Sequence, residues 1–133
     1  MSTGEIYMNL TASDVKIFVP AKDFQESLTF YSALGWQTNF VADDGSLAVL
    51  ELGDSRFYLQ NYYNKEWADN FMLHITVEDA AAWYQHASNI IANGSYKNAC
   101  INKPKEEPYG ALVTFVWDPC GVLLHFAQPL GDE

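Results

Sequence analysis

The chain has 133 residues, 49% of them apolar, and a net charge of −10. Its seven Lys plus Arg are too few for the basic patch that nucleic acid or an anionic membrane requires, so neither partner is expected. No apolar run approaches the roughly 20 residues that cross a bilayer, no basic-then-apolar leader opens the chain, and Cys100 and Cys120 lack CxxC or zinc spacing; the expectation is one reduced, cytoplasmic domain.

Residues 1–12 are polar and read as an arm. From about Ser13 to Val19, the residues Val15, Ile17 and Val19 alternate with Lys16 and Phe18, the pattern of a strand with two distinct faces. Pro20 closes it. Asp23 is placed to cap a helix, and Glu26 three residues later to complete a capping box. Phe24, Leu28, Tyr31 and Leu34 then fall at helical spacing before Gly35. Strands follow at Trp36 to Val41, Leu47 to Leu52 and Arg56 to Asn61, joined by the turns Asp43-Asp44-Gly45 and Gly53-Asp54-Ser55. Residues 62–70 form a connector, with Trp67 in a short helical turn.

The second half repeats the plan. Phe71, Leu73, Ile75 and Val77 form one face of a strand; Met72, His74 and Thr76 form the other. Asp79 caps a helix that buries Trp83, Ala87, Ile90 and Ile91 and ends at Asn93-Gly94. Ala99 to Asn102 reads as a short strand, and Lys103 to Tyr109 as a loop, an irregular strand connection made necessary by two prolines, with a lid as the second reading. Ala111 to Trp117 and Val122 to Ala127 are the closing strands, joined by the Asp118-Pro119-Cys120-Gly121 turn. Asp23 and Asp79 lie 56 residues apart, and a strand, a capped helix and three further strands fill that period. Such a repeat decides architecture before any single element does. It predicts an α+β domain over residues 1–133, made of two βαβββ modules, about 13–61 and 71–129, whose curved mixed sheets enclose a shared cleft.

Each helix must cover one side of its sheet. Val15, Ile17, Val19, Phe57, Leu59, Phe71, Leu73, Ile75, Val77, Val122, Leu124 and Phe126 suit that side. The opposite parity collects Lys16, Phe18, Arg56, Tyr58, Gln60, Met72, His74, Thr76, Leu123, His125 and Ala127. Apolar bodies with a few polar tips are what a small-molecule pocket uses; the competing reading is an ordinary solvated sheet surface. Eight Tyr, eight Phe and four Trp point to an aromatic-lined cavity, an oligomer interface or a ring-rich core.

These residues resemble the vicinal oxygen chelate superfamily, the group of glyoxalase I, bleomycin-resistance proteins and extradiol dioxygenases. The likeness runs from about Ser13 to Pro129. Residues Asp23 to Trp36 are similar to the family's D-x-x-x-S-x-x-F-Y-x-x-L-G-aromatic helix. Residues Asp118 to Phe126 are similar to its closing D-P-x-G hairpin. The resemblance implies two metal ligands on the first strand of the modules and two on the last. In this sequence those positions hold Lys16, Met72, Tyr58 and His125. A protonated lysine does not ligate, and a thioether suits copper(I), not zinc, nickel, iron or manganese. No cofactor is therefore expected; if a divalent metal bound, His74 and His125 would be its ligands.

The resemblance thus points to a metal-free, antibiotic-resistance-like protein that binds an aromatic or cationic small molecule, and it implies a homodimer. The expected ligand-binding residues are Lys16, Phe18, Trp36, Tyr58, Gln60, Met72, His74, Trp117 and His125, with Trp36, Tyr58, Phe115 and Trp117 able to stack on a ring. The alternative is a glyoxalase-type lyase, isomerase or dioxygenase with a degenerate metal site, in which His125 acts as general base. A third reading is an interaction scaffold whose cleft has closed.

Overall fold

The computed structural model describes residues 10–131. Most of the expected arm, residues 1–9, lies outside them, as does any test of a leader. Module one comprises β1 (Phe18–Pro20), α1 (Phe24–Leu34), β2 (Gln37–Val41), β3 (Leu47–Leu52) and β4 (Ser55–Gln60). The connector carries the short helix α2 (Lys65–Asp69), around Trp67 as expected. Module two comprises β5 (Met72–Thr76), α3 (Ala80–Asn93), β6 (Cys100–Glu107), β7 (Ala111–Trp117) and β8 (Leu123–Pro129). The strand orders β1-β4-β3-β2 and β5-β8-β7-β6 are equivalent. In each sheet the first and last strands are parallel and the rest antiparallel. The two sheets remain separate, with no strand pairing between them.

Local chemistry explains the element ends. The Asp23 and Asp79 carboxylates accept from the amides of Glu26 and Ala82 at 3.1 and 3.0 Å, satisfying donors that a helix start leaves open. Only half of the expected capping box forms: Glu26 turns away and accepts from the Lys97 amide at 2.6 Å. Gly35 closes α1 at φ +119, a left-handed conformation that favours glycine. Gly94 ends α3 with extended backbone, and a Cβ there would run into the Tyr96 ring.

Two expectations need correction. The first strand is shorter than Ser13 to Val19: residues 10–17 are not in strand, Val15 is 79% exposed and Ile17 also lies outside the helix-side core. β1 is an edge strand whose one neighbour is β4; the Ile17 carbonyl still accepts from the Tyr58 amide at 2.9 Å, and the paired register begins at Phe18. Conversely, Lys103 to Glu107 is strand, not loop. β6 is also an edge strand, where a missing proline N–H is tolerated, and a register shift between Asn102 and Lys105 takes up Pro104. Only residues 108–110 remain as a turn.

One core joins the halves. Val19, Phe57 and Leu59 of the first sheet meet Phe30, Tyr31 and Leu34 of α1; Leu73, Leu124 and Phe126 of the second sheet and Ala87 of α3 complete the same cluster. The two motifs of the sequence meet inside it. Tyr31 donates its hydroxyl to Asp118 at 2.6 Å, and Asp118 also accepts from the amides of Cys120 and Val122 at 2.8 and 2.9 Å.

Candidate functional site

The faces turned away from the helices carry the side chains that strand parity assigns to them. In module one, the pairing of β1, β4, β3 and β2 sets Phe18, Tyr58, Val49 and Phe40 in one row. Phe18 and Tyr58 have ring centroids 4.8 Å apart. The Lys16 ammonium lies 5.9 Å from the Tyr58 ring and 2.5 Å from Asp14. Gln60 lies one step along on the same face as Tyr58, and Arg56 one step back, paired with Glu51 at 3.2 Å. This wall is mainly aromatic and aliphatic.

In module two, the equivalent row is more polar: His74 on β5, His125 on β8, Phe115 on β7 and Asn102 on β6. His74 and His125 have ring centroids 6.0 Å apart, Phe115 meets His125 edge-on at 4.9 Å, and Tyr109 lies 6.2 Å from His74. Met72, Leu123 and Trp117 make the adjacent row. Both ring nitrogens of His125 are sealed from solvent and have no hydrogen-bond partner. An unmet buried polar group costs about 1–3 kcal/mol. Burial, and then the neighbouring His74, lower the His125 pKa below its ordinary 6.5; Glu107 opposes them. The ring is therefore neutral at neutral pH, with one donor and one acceptor nitrogen.

Where the β3–β4 turn of the first module faces β5 of the second lies a cleft of about 1010 Å³, lined by both modules: Ile17, Trp36 and residues 52–57 from the first, and residues 72–78 from the second. Trp36, Met72 and His74 are the expected ligand residues that reach it. Trp36 does so from the core. It is 4% exposed, packs against Phe57 and Tyr31, and leaves its Nε1 unpartnered. Phe18, Tyr58, Gln60, Trp117 and His125 sit on the sheet faces and Lys16 just ahead of β1; none of them is among the cleft's lining residues. Among the described residues no ring contact or ion pair joins the Phe18–Tyr58 group to the His74–His125 group. Sequence reasoning did not foresee Val49, Phe40 and Asn102. Their parity shows only once the bulge between Thr38 and Phe40 and the shift in β6 are known.

The donor set does not fit a divalent metal. The four positions that would supply ligands hold Lys16, Tyr58, Met72 and His125, and among the described residues no three His, Cys, Asp or Glu side chains converge. His86, outside both faces, bonds the Leu34 carbonyl at 2.9 Å and ties α3 to the end of α1.

This repeated architecture is that of a known class. The profile of the Glyoxalase/Bleomycin resistance protein/Dioxygenase superfamily matches residues 15–126, and the chain belongs to that superfamily. Similar solved structures include a bleomycin resistance determinant encoded on transposon Tn5, with a TM-score of 0.73 and 23% identity over 88% of this chain and 98% of that one. The bleomycin-binding protein of Streptomyces verticillus, solved with copper(II)-bleomycin, has a TM-score of 0.71 and 21% identity, covering 92% of this chain and 100% of that one. TnmS3, an antibiotic-binding protein from Streptomyces sp. CB03234, has a TM-score of 0.72 and 16% identity, covering 91% and 99%. No curated protein sequence matches the chain. No helix among the described residues is long and apolar enough to cross a membrane.

Proposed function

We propose that this chain is a small-molecule-binding protein that holds an aromatic ligand against its sheet faces without a metal. The observation that carries the reading is the pairing of a ring-rich face, Phe18 and Tyr58 in contact, with a donor set unsuited to a catalytic cation. Aromatic walls supply stacking area and lose little side-chain entropy on binding. Three structurally similar proteins whose names include bleomycin or antibiotic binding or resistance support the same class of ligand.

The working unit we propose is a cytoplasmic homodimer. Ile17, Phe18, Phe40 and Met72 are large apolar side chains exposed around the cleft and the sheet faces, and Val15 is exposed just ahead of β1. An apolar surface of this kind is ordinarily covered in use. A second copy would cover it and bring another wall to face Phe18 and Tyr58. The charge of −10 argues against nucleic acid as a partner.

The test is calorimetric titration with metal-free and copper(II)-loaded bleomycin, alongside elemental analysis of the purified protein. Saturable binding of either form by protein free of stoichiometric metal supports the proposal. Tightly held zinc, nickel, iron or manganese at one per chain, with ligand binding lost on its removal, overturns it.

A further inference from the structure

Acidic residues outnumber Lys plus Arg by 17 to 7 in this chain, yet two of the seven cations, Lys16 and Arg56, stand at one end of the aromatic wall of module one. Register brings them there. Phe18 pairs with Tyr58, the Ile17 carbonyl accepts from the Tyr58 amide, and Lys16 and Arg56 each lie two residues ahead of a paired ring. The Lys16 ammonium lies 5.9 Å from the Tyr58 ring. Arg56 and Ile17 line the cleft, so this end of the wall opens onto it. Both cations meet a carboxylate, but in different ways. Glu51 is paired with Arg56 in the strand ladder and bonds it at 3.2 Å. Asp14 meets Lys16 at 2.5 Å from residues 10–17, which are not in strand. The hydrogen bond from Lys16, with Arg56 adding a smaller attraction, holds the Asp14 carboxyl below its usual range, so Asp14 marks a place where an anion feels both cations.

We infer that the aromatic ligand of this wall carries an anionic group beside its ring system, that Lys16 and Arg56 receive that group, and that Asp14 gives way to it. This rests on the proposed binding function and names the ligand chemistry it selects. The exchange conserves charge, since one carboxylate leaves the two cations as another anion arrives. It also disturbs little, because an exposed ion pair adds little to stability and Asp14 is held by no ladder. The planar guanidinium of Arg56 suits a carboxylate, and Lys16 adds a point charge. The overall charge of −10 does not reverse the preference. Charges on other parts of the surface are screened beyond about 8 Å at physiological ionic strength, whereas the Lys16 ammonium is nearer than that to the Tyr58 ring. A cation laid on Tyr58 would meet Lys16 as a like charge and compete with it for the ring face. An aromatic acid stacked on Phe18 and Tyr58 meets an opposite charge at its edge.

Three probes of one shape, 2-naphthoate, 2-naphthamide and 2-naphthamidinium, are titrated into the full chain by calorimetry. At about pH 7.5 the naphthoate is expected to bind about tenfold tighter than the amide, and the amidinium more weakly than either. Added salt should narrow the gap. Asp14→Asn, which removes the competing carboxylate, is expected to tighten naphthoate about threefold. Lys16→Met is expected to abolish the preference for naphthoate over naphthamide. Both positions lie outside the buried clusters, so both variants should fold. Tighter binding of the amidinium overturns the inference. So does a naphthoate preference untouched by Lys16→Met, or a naphthoate affinity that Asp14→Asn fails to raise. Equal binding of the three probes, weakened alike by Phe18→Ala, overturns this inference and leaves the aromatic binding function standing. Absence of binding by every probe and by both forms of bleomycin overturns both.

Discussion

The phenol of Tyr31 and the carboxylate of Asp118 lie 2.6 Å apart although 87 positions separate them in sequence. Tyr31 belongs to the helix of module one and Asp118 to the closing hairpin of module two, so one buried hydrogen bond ties the halves together. Asp118 also organises its own turn through the Cys120 and Val122 amides. These are the residues by which the chain resembles its superfamily, and their work is to hold the fold, away from both sheet faces.

Removing the partners should therefore cost stability unequally. Tyr31→Phe is expected to lower it by about 1–3 kcal/mol, since one acceptor loses one donor. Asp118→Ala strands three donors and should cost more, and the double variant should cost less than the two losses added, because they share one bond. Urea denaturation of the four proteins checks this.

Burial raises the Asp118 pKa from 3.8 to about 6, against the lowering effect of Tyr31 and the backbone amides. The folded state thus holds this proton more tightly than the unfolded chain. Its stabilising contribution is full below pH 3.8 and lost as pH rises through about 6. Measured against Asp118→Asn, the wild-type protein should lose relative stability between those values and then level off. A flat difference would refute the assignment.

His125 has the opposite sign. Its pKa is lowered, so the unfolded chain takes up the proton first. The contribution is full above pH 6.5 and declines as pH falls through the folded value. NMR titration of the imidazole should place it below 6.5, and His74→Gln should move it upward by removing the neighbouring charge.

Gly35→Ala tests the end of α1. A Cβ there would meet nothing closer than Leu52 at 3.9 Å, so space is not the obstacle; the backbone is, at φ +119. The expected loss is about 1–2 kcal/mol, read as a lowered Tm.

Phe18→Ala and Tyr58→Ala should weaken aromatic ligands by about tenfold each, the scale of losing one stacked ring, with little change in Tm because both lie off the core. On the proposed dimer, Met72→Lys and Val15→Lys should shift association toward monomer in sedimentation equilibrium.

The sequence made the capped helices and the parity of the strands legible, because Asp23, Gly35 and Asp79 act on their own neighbours and alternation is a local pattern. The limits of β1 and β6 were not. Val15 and Ile17 alternate as a strand should, yet one edge partner holds only residues 18–20. Pro104 argued for a loop, yet an edge and a shifted register admit it. Lys16, Tyr58, Met72 and His125 could be placed at the metal-ligand positions from sequence, whereas the bulge that brings Phe40 opposite Val49 depends on pairing. Trp36, expected from sequence as a ligand contact, reaches the cleft from within the packing around Tyr31 and Phe57, a placement that only the assembled core shows.

The contrasting rows sit on the side of each sheet that neither helix touches. In module one, Phe18, Tyr58 and Phe40 stand outside the buried clusters, so on the proposed function these contacts can change while the interior packing stays as it is; in module two Phe115 is packed against Ala111, Val113 and Ala127 and is tied to the scaffold. On the proposed function, a duplicated half-domain built this way is a ready starting point for retargeting, because a few outward positions of the first wall could be exchanged without the rest of the chain following.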